Sequence, residues 1–186
     1  EIGSGLVGSE MCIRDSLHHL IDDMLVLSQI ENAKDDVQTV PCNLNQEIET
    51  VLRRAKPIAE KNGIVLRLEA EEAFLVASSP TRLQQLFGNL VENAIKYNKP
   101  QGRVTVTLQR QRNMVLVKVK DTGIGMSSDF LGHVFDTFAR EQSATVSGIQ
   151  GTGLGMAITK NIVEMMGGTV EVAVSYTHLT LPTKLE

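Results

Sequence analysis

The spacing of hydrophobic residues along the chain alternates between a helical and a strand period. Apolar residues recur three and four positions apart in four segments, which predicts amphipathic helices at 17–33, 44–61, 80–98 and 154–166. Apolar and polar residues alternate in shorter segments, which predicts strands in VQTVPCNL, IVLRLEA, AFLVAS, RVTVTLQ, MVLVKVK and TVEVAV. Residues 126–150 are irregular and spotted with glycine, with one short helix expected near 129–138.

These elements predict an α/β (α+β) fold, a two-layer sandwich of a mixed sheet and three helices, with one further helix before it. Ser79 followed by Pro80 favours a helix start. Asn62-Gly63 and Gly167-Gly168 favour helix ends. The helices alternate with strand pairs that look antiparallel, an order that favours packing of the helices on the sheet.

The composition excludes several classes of protein. The chain has 186 residues, a net charge of −4 and 42% hydrophobic residues, so no basic surface points to a nucleic-acid partner. No apolar run approaches the ~20 residues that span a bilayer. Cys12 and Cys42 cannot form a disulfide framework or a zinc site by themselves. A reducing, cytoplasmic setting is therefore expected.

The two ends of the chain can be encoded by one DNA duplex read on opposite strands. MCIRDS at 11–16 can be encoded as ATG TGT ATA AGA GAC AGC, and the complementary strand then encodes AVSYTH, which is residues 173–178. Both ends thus resemble translated transposase-type sequencing adaptor. We predict that 1–16 and 174–186 are artefactual tails, left on a fragment of a longer protein, and we exclude them from functional interpretation.

The helix predicted after Pro80 carries a polar stripe beside its apolar face. Asn89, Asn93, Lys96 and Tyr97 lie along this stripe at helical spacing. An amide oxygen can bind Mg²⁺ and an ammonium can bind phosphate. On its own, the stripe also fits a solvated helix flank.

Two glycine-containing motifs follow the stripe. DTGIGM begins at Asp121, directly after a predicted strand, and its Gly123 and Gly125 would let the backbone approach a flat ring. GTGLGM at 151–156 leads into the last predicted helix, where backbone N–H groups could bind phosphate. Taken singly, the first also fits an ordinary turn and the second a flexible loop.

The order and spacing of these motifs closely resemble two-component sensor histidine kinases. The stripe, D-x-G-x-G, the phenylalanines Phe135 and Phe138, and G-T-G-L-G resemble the asparagine, first-glycine, phenylalanine and second-glycine boxes of the catalytic ATP-binding domain. LIDDMLVLSQIE resembles the end of the second dimerisation helix. The resemblance implies an end of the dimerisation and phosphoacceptor domain at 17–35 and a catalytic domain at 36–173. The family's last core strand would be missing, unless THLTLPT mimics it by accident.

The resemblance implies roles for particular residues. Asn93 would bind Mg²⁺ with support from Asn89, Lys96 would face phosphate, Tyr97 would lie near the nucleotide, and Asp121 would accept from the adenine amine. Gly123 and Gly125 would shape the adenine wall, and the second glycine box would border the phosphates through Gly151, Thr152, Gly153, Leu154 and Gly155. Phe135 and Phe138 would pack a mobile lid at 126–150. Arg140 could contact phosphate or remain solvated.

The resemblance also implies a kinase that spares ATP from water. Related ATPases carry a glutamate four residues before the metal-binding asparagine as general base, whereas this chain has the neutral Asn89 there. His18 and His19 lack the family's phosphoacceptor box, so no catalytic histidine is expected. The implied partners are ATP, Mg²⁺, a second copy bound through the dimerisation helices and a response regulator. An anti-sigma-type serine kinase and a non-catalytic nucleotide-binding regulatory module remain as alternatives.

Overall fold

A computed structural model describes most of the chain that follows the predicted linker. The described residues are 39–141, 151–174 and 176–183, together with Leu20, Ile21, Met24, Leu25 and Ser28. These last five residues are helical, in agreement with the helix expected at 17–33. The other residues of that helix, the N-terminal tail and residues 142–150 of the predicted lid lie outside the described residues.

The described part of the chain forms helices and strands close to the predicted positions. The helices are α1 Leu44–Lys61, α2 Pro80–Lys96, α3 Ser128–Leu131 and α4 Gly155–Met165. The strands are β1 Val40–Asn43, β2 Val65–Ala70, β3 Leu75–Ser78, β4 Arg103–Gln111, β5 Met114–Asp121, β6 Thr169–Ala173 and β7 Tyr176–Pro182.

Five of these strands form one mixed sheet in the order β2-β4-β5-β7-β6. β2 runs parallel to β4, and every other neighbouring pair is antiparallel. β1 and β3 form a separate antiparallel pair. The structure therefore confirms the predicted mixed sheet and the predicted hairpin of β4 and β5.

Alternating residues decide which face of the sheet is covered. In β4 and β5 the buried residues are Val104, Val106, Leu108, Val115, Val117 and Val119. They lie on one face and pack with the buried sides of α1, α2 and α4 into a single core. The predicted two-layer sandwich is therefore confirmed, since the period of two places every second side chain against the helices.

Local chemistry sets the helix boundaries. The Asn43 side chain accepts from the Gln46 backbone N–H at 3.3 Å and caps α1, which ends at Asn62 as predicted. α2 begins at Pro80, but the Ser79 hydroxyl makes no capping hydrogen bond. Its helix start depends instead on Pro80 and on the Ser79 carbonyl, which accepts from Leu83 N–H at 3.1 Å.

The expected length of the short helix in the lid is wrong, and the open alternative for the last strand is observed. The short helix expected near 129–138 ends already at Leu131, and turns follow it through Phe138. THLTLPT does supply the last strand, since β7, in the excluded tail, pairs with both β5 and β6. Leu179 and Leu181 of β7 are fully buried. β7 therefore places every second side chain in the core, as its neighbour β5 does.

Candidate functional site

The fold brings all three motifs into contact around α2. The carbonyl of Tyr97, at the end of α2, accepts from Ile124 N–H within the first glycine motif at 3.0 Å. A Cβ built on Gly151 would lie 2.5 Å from Lys96 Nζ, so the second glycine motif faces the same helix. The polar stripe, Asp121 and the glycine-rich turn before α4 therefore border one region.

Asn89 links α2 to α4. Its Nδ2 donates to the carbonyl of Gly155 at 3.1 Å. The hydroxyl of Thr159 donates to the same carbonyl at 2.8 Å. Asn89 thus fixes the start of α4 against α2.

Asn93 and Lys96 are the two residues of the stripe whose side chains could bind a metal ion and a phosphate. Both are half-buried, and in the described part of the chain the Asn93 side-chain amide has no hydrogen-bond partner. Burial lowers the pKa of Lys96, the nearby Arg140 lowers it further, and Glu92 opposes the shift. A desolvated cation beside an unpaired amide oxygen suits a ligand with negative charge and a bound divalent cation.

Tyr97 lies beside Lys96 at the end of the helix. Lys96 Nζ is 5.3 Å from the centroid of the Tyr97 ring. Burial raises the pKa of the Tyr97 phenol, so this group is neutral at pH 7. Tyr97 therefore provides a half-buried aromatic wall between the cation and the first glycine motif.

Asp121 ends β5 with one carboxylate oxygen already engaged. Its Oδ1 accepts from Gly123 N–H at 2.8 Å, which fixes the orientation of the group. Burial raises the pKa of Asp121, and the Gly123 hydrogen bond opposes this shift. Among the described residues Oδ2 has no partner, so it is the acceptor that an exocyclic amine would meet.

Glycine is required in the first motif because the backbone approaches closely. A Cβ on Gly123 would clash with the carbonyl oxygen of Tyr97. Gly125 has a φ of +71°, in the left-handed region that favours glycine. The predicted adenine wall is thus built from backbone packed against the end of α2.

Asn98 is a positioning residue that the sequence motifs did not reveal. Its Nδ2 donates to the carbonyl of Ala94 at 3.0 Å, and its Oδ1 accepts from the Thr122 hydroxyl at 3.0 Å. The Thr122 hydroxyl in turn accepts from Arg103 N–H at 2.8 Å. Asn98 therefore ties the end of α2 to the residue after Asp121. The signal for this role was an asparagine at the predicted end of the helix, two residues after Lys96.

The second glycine motif makes the turn into α4. Gly153 has a φ of +74°, and its carbonyl accepts from Phe138 N–H at 3.0 Å. The Thr152 hydroxyl accepts from Leu154 N–H at 3.3 Å. Leu154 is fully buried in the core, so its side chain faces away from the site and its backbone alone could contribute.

Phe138 occupies surroundings different from those expected, whereas Phe135 and Arg140 do not depart from the alternatives given for them. Phe138 does not pack in the described residues, since 54% of its surface is exposed and its φ is +64°. Phe135 is half-buried, with Lys160 Nζ 5.7 Å from its ring centroid. Arg140 is exposed, yet its charge acts on both Lys96 and Tyr97, which places it at the rim of the site.

A divalent cation at this site would take most of its coordinating oxygens from bound phosphate and water, and few from the protein. The described residues contain no cluster of three or more His, Cys, Asp or Glu side chains that could hold a metal. Mg²⁺ is commonly bound by one or two protein oxygens together with phosphate oxygens and water. The unpaired amide of Asn93 fits that arrangement.

The described helices contain none that is both long and apolar enough to cross a membrane.

The chain is similar to known kinases over most of its length. The sequence pattern of the family described as histidine kinase-, DNA gyrase B-, and HSP90-like ATPase matches residues 78–185. The autoinducer 2 sensor kinase/phosphatase LuxQ of Vibrio parahaemolyticus is 33% identical over 171 residues, which cover 86% of this chain and 20% of that protein. The circadian input-output histidine kinase CikA of Synechococcus elongatus is 34% identical over 166 residues, which cover 86% and 22%. The chain therefore spans about a fifth of the length of these curated relatives.

Solved structures of sensor histidine kinases are also similar to this chain. A mycobacterial sensor histidine kinase, MprB, has a TM-score of 0.70 and 25% identity, with 79% of this chain and all of that chain covered. The Acinetobacter baumannii histidine kinase AdeS has a TM-score of 0.80 over all of this chain and shows the fold alone at 21% identity.

Proposed function

This chain belongs to the histidine kinase-, DNA gyrase B- and HSP90-like ATPase family, and we propose that its residues 36–173 are the ATP-binding catalytic domain of a two-component sensor kinase. The activity proposed for the intact protein is transfer of the ATP γ-phosphate to a histidine on an upstream helix. The observation that carries this proposal is the convergence of Asn93, Lys96, Asp121 and the glycine-rich turn on one region of α2.

The adenine end of the site is proposed to lie at Asp121. Its free Oδ2 would accept from the exocyclic amine, while Gly123 and Gly125 leave room for the flat ring. Oδ1 is held by Gly123 N–H, so the carboxylate is already oriented for this contact. Tyr97 would cover the neighbouring side of the nucleotide.

The phosphate end is proposed to lie between α2 and the turn into α4. Lys96 lies beside Gly151 and would bind a phosphate oxygen, and backbone N–H groups of the turn would bind others. Asn93 would hold Mg²⁺, which supplies charge neutralisation between the phosphates. Arg140 at the rim would add a second cation.

The residue at position 89 supports transfer to protein rather than to water. An amide cannot take a proton from water at pH 7, and the Asn89 Nδ2 is already bound to the Gly155 carbonyl. Glu92 lies about 100° round the helix from Asn93, so it is poorly placed to act instead. ATP bound here would therefore be hydrolysed slowly and would remain available for transfer of its γ-phosphate to an acceptor histidine.

The helix before the catalytic domain supports a dimer of the intact kinase. Ile21, Met24 and Leu25 are helical and about half-exposed. Such a face suits packing against a second copy, as the resemblance implies. A response regulator would receive the phosphate in the cytoplasm, a reducing setting consistent with the free thiol of Cys42.

The test supplies γ-labelled ATP with Mg²⁺ to the chain alone and to the chain with a separate dimerisation domain from a homologous kinase. We expect no label on this chain, slow ATP hydrolysis, and acid-labile label on the added domain. The control is an added domain whose acceptor histidine is replaced by alanine. Acid-stable label would favour a serine kinase, and absence of label with the intact acceptor would favour a regulatory module.

Label on this chain itself would also contradict the proposal. If that label were acid-labile and lost in His18→Ala or His19→Ala, one of these histidines would be an acceptor.

A further inference from the structure

A cavity of about 610 Å³ lies between α1 and α2 and borders the proposed nucleotide site only at its Lys96 end. Gly88 lines it, whereas the next residue, Asn89, faces α4, about 100° round the helix. Its apolar wall is formed by Val51, Ala55, Ile58, Ile64, Val91 and Ile95. Cavities of this size and character hold small organic molecules in other proteins.

Gly88 keeps this cavity open at a cost to the helix. It lies in the middle of α2, where glycine is a poor helix former. A Cβ built on Gly88 would meet no atom within 4 Å, so no neighbouring group requires glycine there. The missing side chain leaves space over an apolar wall that is buried except at Ile58, which is the arrangement of a binding pocket.

The charges at the rim favour an anion. The charged residues that line the cavity are three cations, Arg54, Lys96 and Lys99, and one acid, Glu92, so positive charge is in excess; Lys96 also belongs to the proposed phosphate end. Arg54 and Lys99 then remain as cations at the rim. Arg54 donates to the Gln84 side chain at 2.8 Å, which orients the guanidinium, and among the described residues Lys99 has no ion-pair partner.

We propose that this cavity binds an amphipathic anion, with an apolar body over Gly88 and a carboxylate or sulfonate between Arg54 and Lys99. Its proposed charged contacts, Arg54 and Lys99, are not residues of the proposed nucleotide site, although Lys96 borders both sites. It gives the domain a second ligand, bound to an adjoining face of the helix that carries Asn89 and Asn93.

The probe for this site is 1-anilinonaphthalene-8-sulfonate, whose fluorescence rises in an apolar environment. We expect saturable binding to the folded chain that persists at saturating ADP and Mg²⁺. Gly88→Leu fills the cavity and should weaken binding about tenfold or more. Gly88→Ala, the matched control, adds helix propensity with little volume and should retain the affinity. Neither variant should lower the melting temperature, because the position is open.

The charged end is tested on α1. Arg54→Gln should weaken binding severalfold and reduce its dependence on salt. Lys56→Gln removes the same charge two residues away, from an exposed side chain that pairs with Glu60, and should change neither.

Displacement of the probe by ADP, equal affinity in Gly88→Leu, or equal loss in Lys56→Gln would each overturn the proposal, as would absence of probe binding. The comparison of Gly88→Leu with Gly88→Ala does not depend on nucleotide binding. A failure of the proposed kinase function would therefore be visible separately, as a failure of ADP to bind at all.

Discussion

Asp121 is held in a state that favours binding over stability. Its carboxylate is half-buried with one oxygen bound to Gly123 N–H, burial raises its pKa, and among the described residues it forms no salt bridge. Burial without a compensating charge disfavours the ionised form. A ligand amine at Oδ2 would supply the hydrogen bond that the folded chain does not.

The first prediction is that Asp121→Asn removes adenine recognition while Asn93→Ala removes the metal-dependent part of affinity. Asparagine replaces an acceptor oxygen by a mixture of donor and acceptor, and alanine deletes the amide oxygen proposed for Mg²⁺. Titration calorimetry with ADP, with and without Mg²⁺, measures both. Glu69→Gln, an exposed carboxylate on β2, is the matched control. Unchanged ADP affinity in Asp121→Asn would place adenine elsewhere.

The second prediction is that Asp121→Asn stabilises the empty domain in a pH-dependent way. Near pH 3 Asp121 is protonated in both states, so about equal stability is expected. Above its ordinary pKa of 3.8 the unfolded chain releases the proton, whereas the folded chain holds it up to its raised pKa. The free energy of unfolding of the wild type therefore falls across that interval relative to the variant, and then the difference stays constant. Chemical denaturation at several pH values measures it; a difference that shrinks as pH rises would contradict the prediction.

At the scale of elements, the alternation of apolar and polar residues in β7 matches the sheet, whereas two polar side-chain atoms in and directly after this strand are buried without a partner among the described residues. Leu179 and Leu181 are fully buried, but the buried side-chain polar atoms without a partner in the described residues are His178 Nδ1 and Thr183 Oγ1. Both belong to the segment that we propose to be adaptor-encoded. Native strands rarely leave such atoms unpaired, so this observation supports the proposed foreign origin.

The third prediction is that His178→Val raises the free energy of unfolding by about 1 kcal/mol. Valine removes the buried nitrogen and favours a strand, while the lost pair with Glu171 lies at the surface and contributes little. His133→Val is the matched control. His133 also pairs with a carboxylate, that of Asp136, but it is exposed, so a change within about 0.5 kcal/mol is expected. Denaturant unfolding measures both, and a loss of stability in His178→Val would show that the ring packs productively.

The sequence alone was sufficient to predict the helices and strands in which the spacing of apolar residues is regular from end to end. α1 was predicted with its observed bounds, and β4 and β5 were predicted as a hairpin, because long amphipathic patterns leave few alternatives. The segment that forms β7 was excluded from interpretation because its codons match adaptor. Its apolar side chains are nevertheless buried, because burial depends on the side chains and not on the origin of the codons. The helix expected near 129–138 stops at Leu131, where Gly132 and the local pair of His133 with Asp136 favour turns.

At the scale of the whole molecule, the site is an assembly of segments that are distant in sequence. Its motifs could be found one by one, but their contacts could not, because Asn89 meets Gly155 and Lys96 meets Gly151 only in the folded chain. The same holds for the cavity, whose single sequence signal was a glycine inside a strongly amphipathic helix.

The fourth prediction separates the two tails. Deleting residues 1–16 should leave ADP affinity unchanged, because the proposed site uses none of them. Deleting 174–186 should strongly destabilise the domain, because it removes Leu179 and Leu181 from the core and leaves β5 and β6 without their shared neighbour. Calorimetric ADP titration and thermal unfolding of the two truncated chains measure these effects. A large loss of affinity on removing 1–16 alone would mean that this segment is functional.

The place of β7 in the sheet also bears on how the domain folds during synthesis. β5 and β6 are made before β7, but they become neighbours across it only when Tyr176–Pro182 has left the ribosome. Helices and the β4–β5 hairpin can form early from local contacts, whereas closure of the sheet waits for the last strand. The nascent chain therefore passes through an interval in which its core is incomplete, and chaperone demand should peak there.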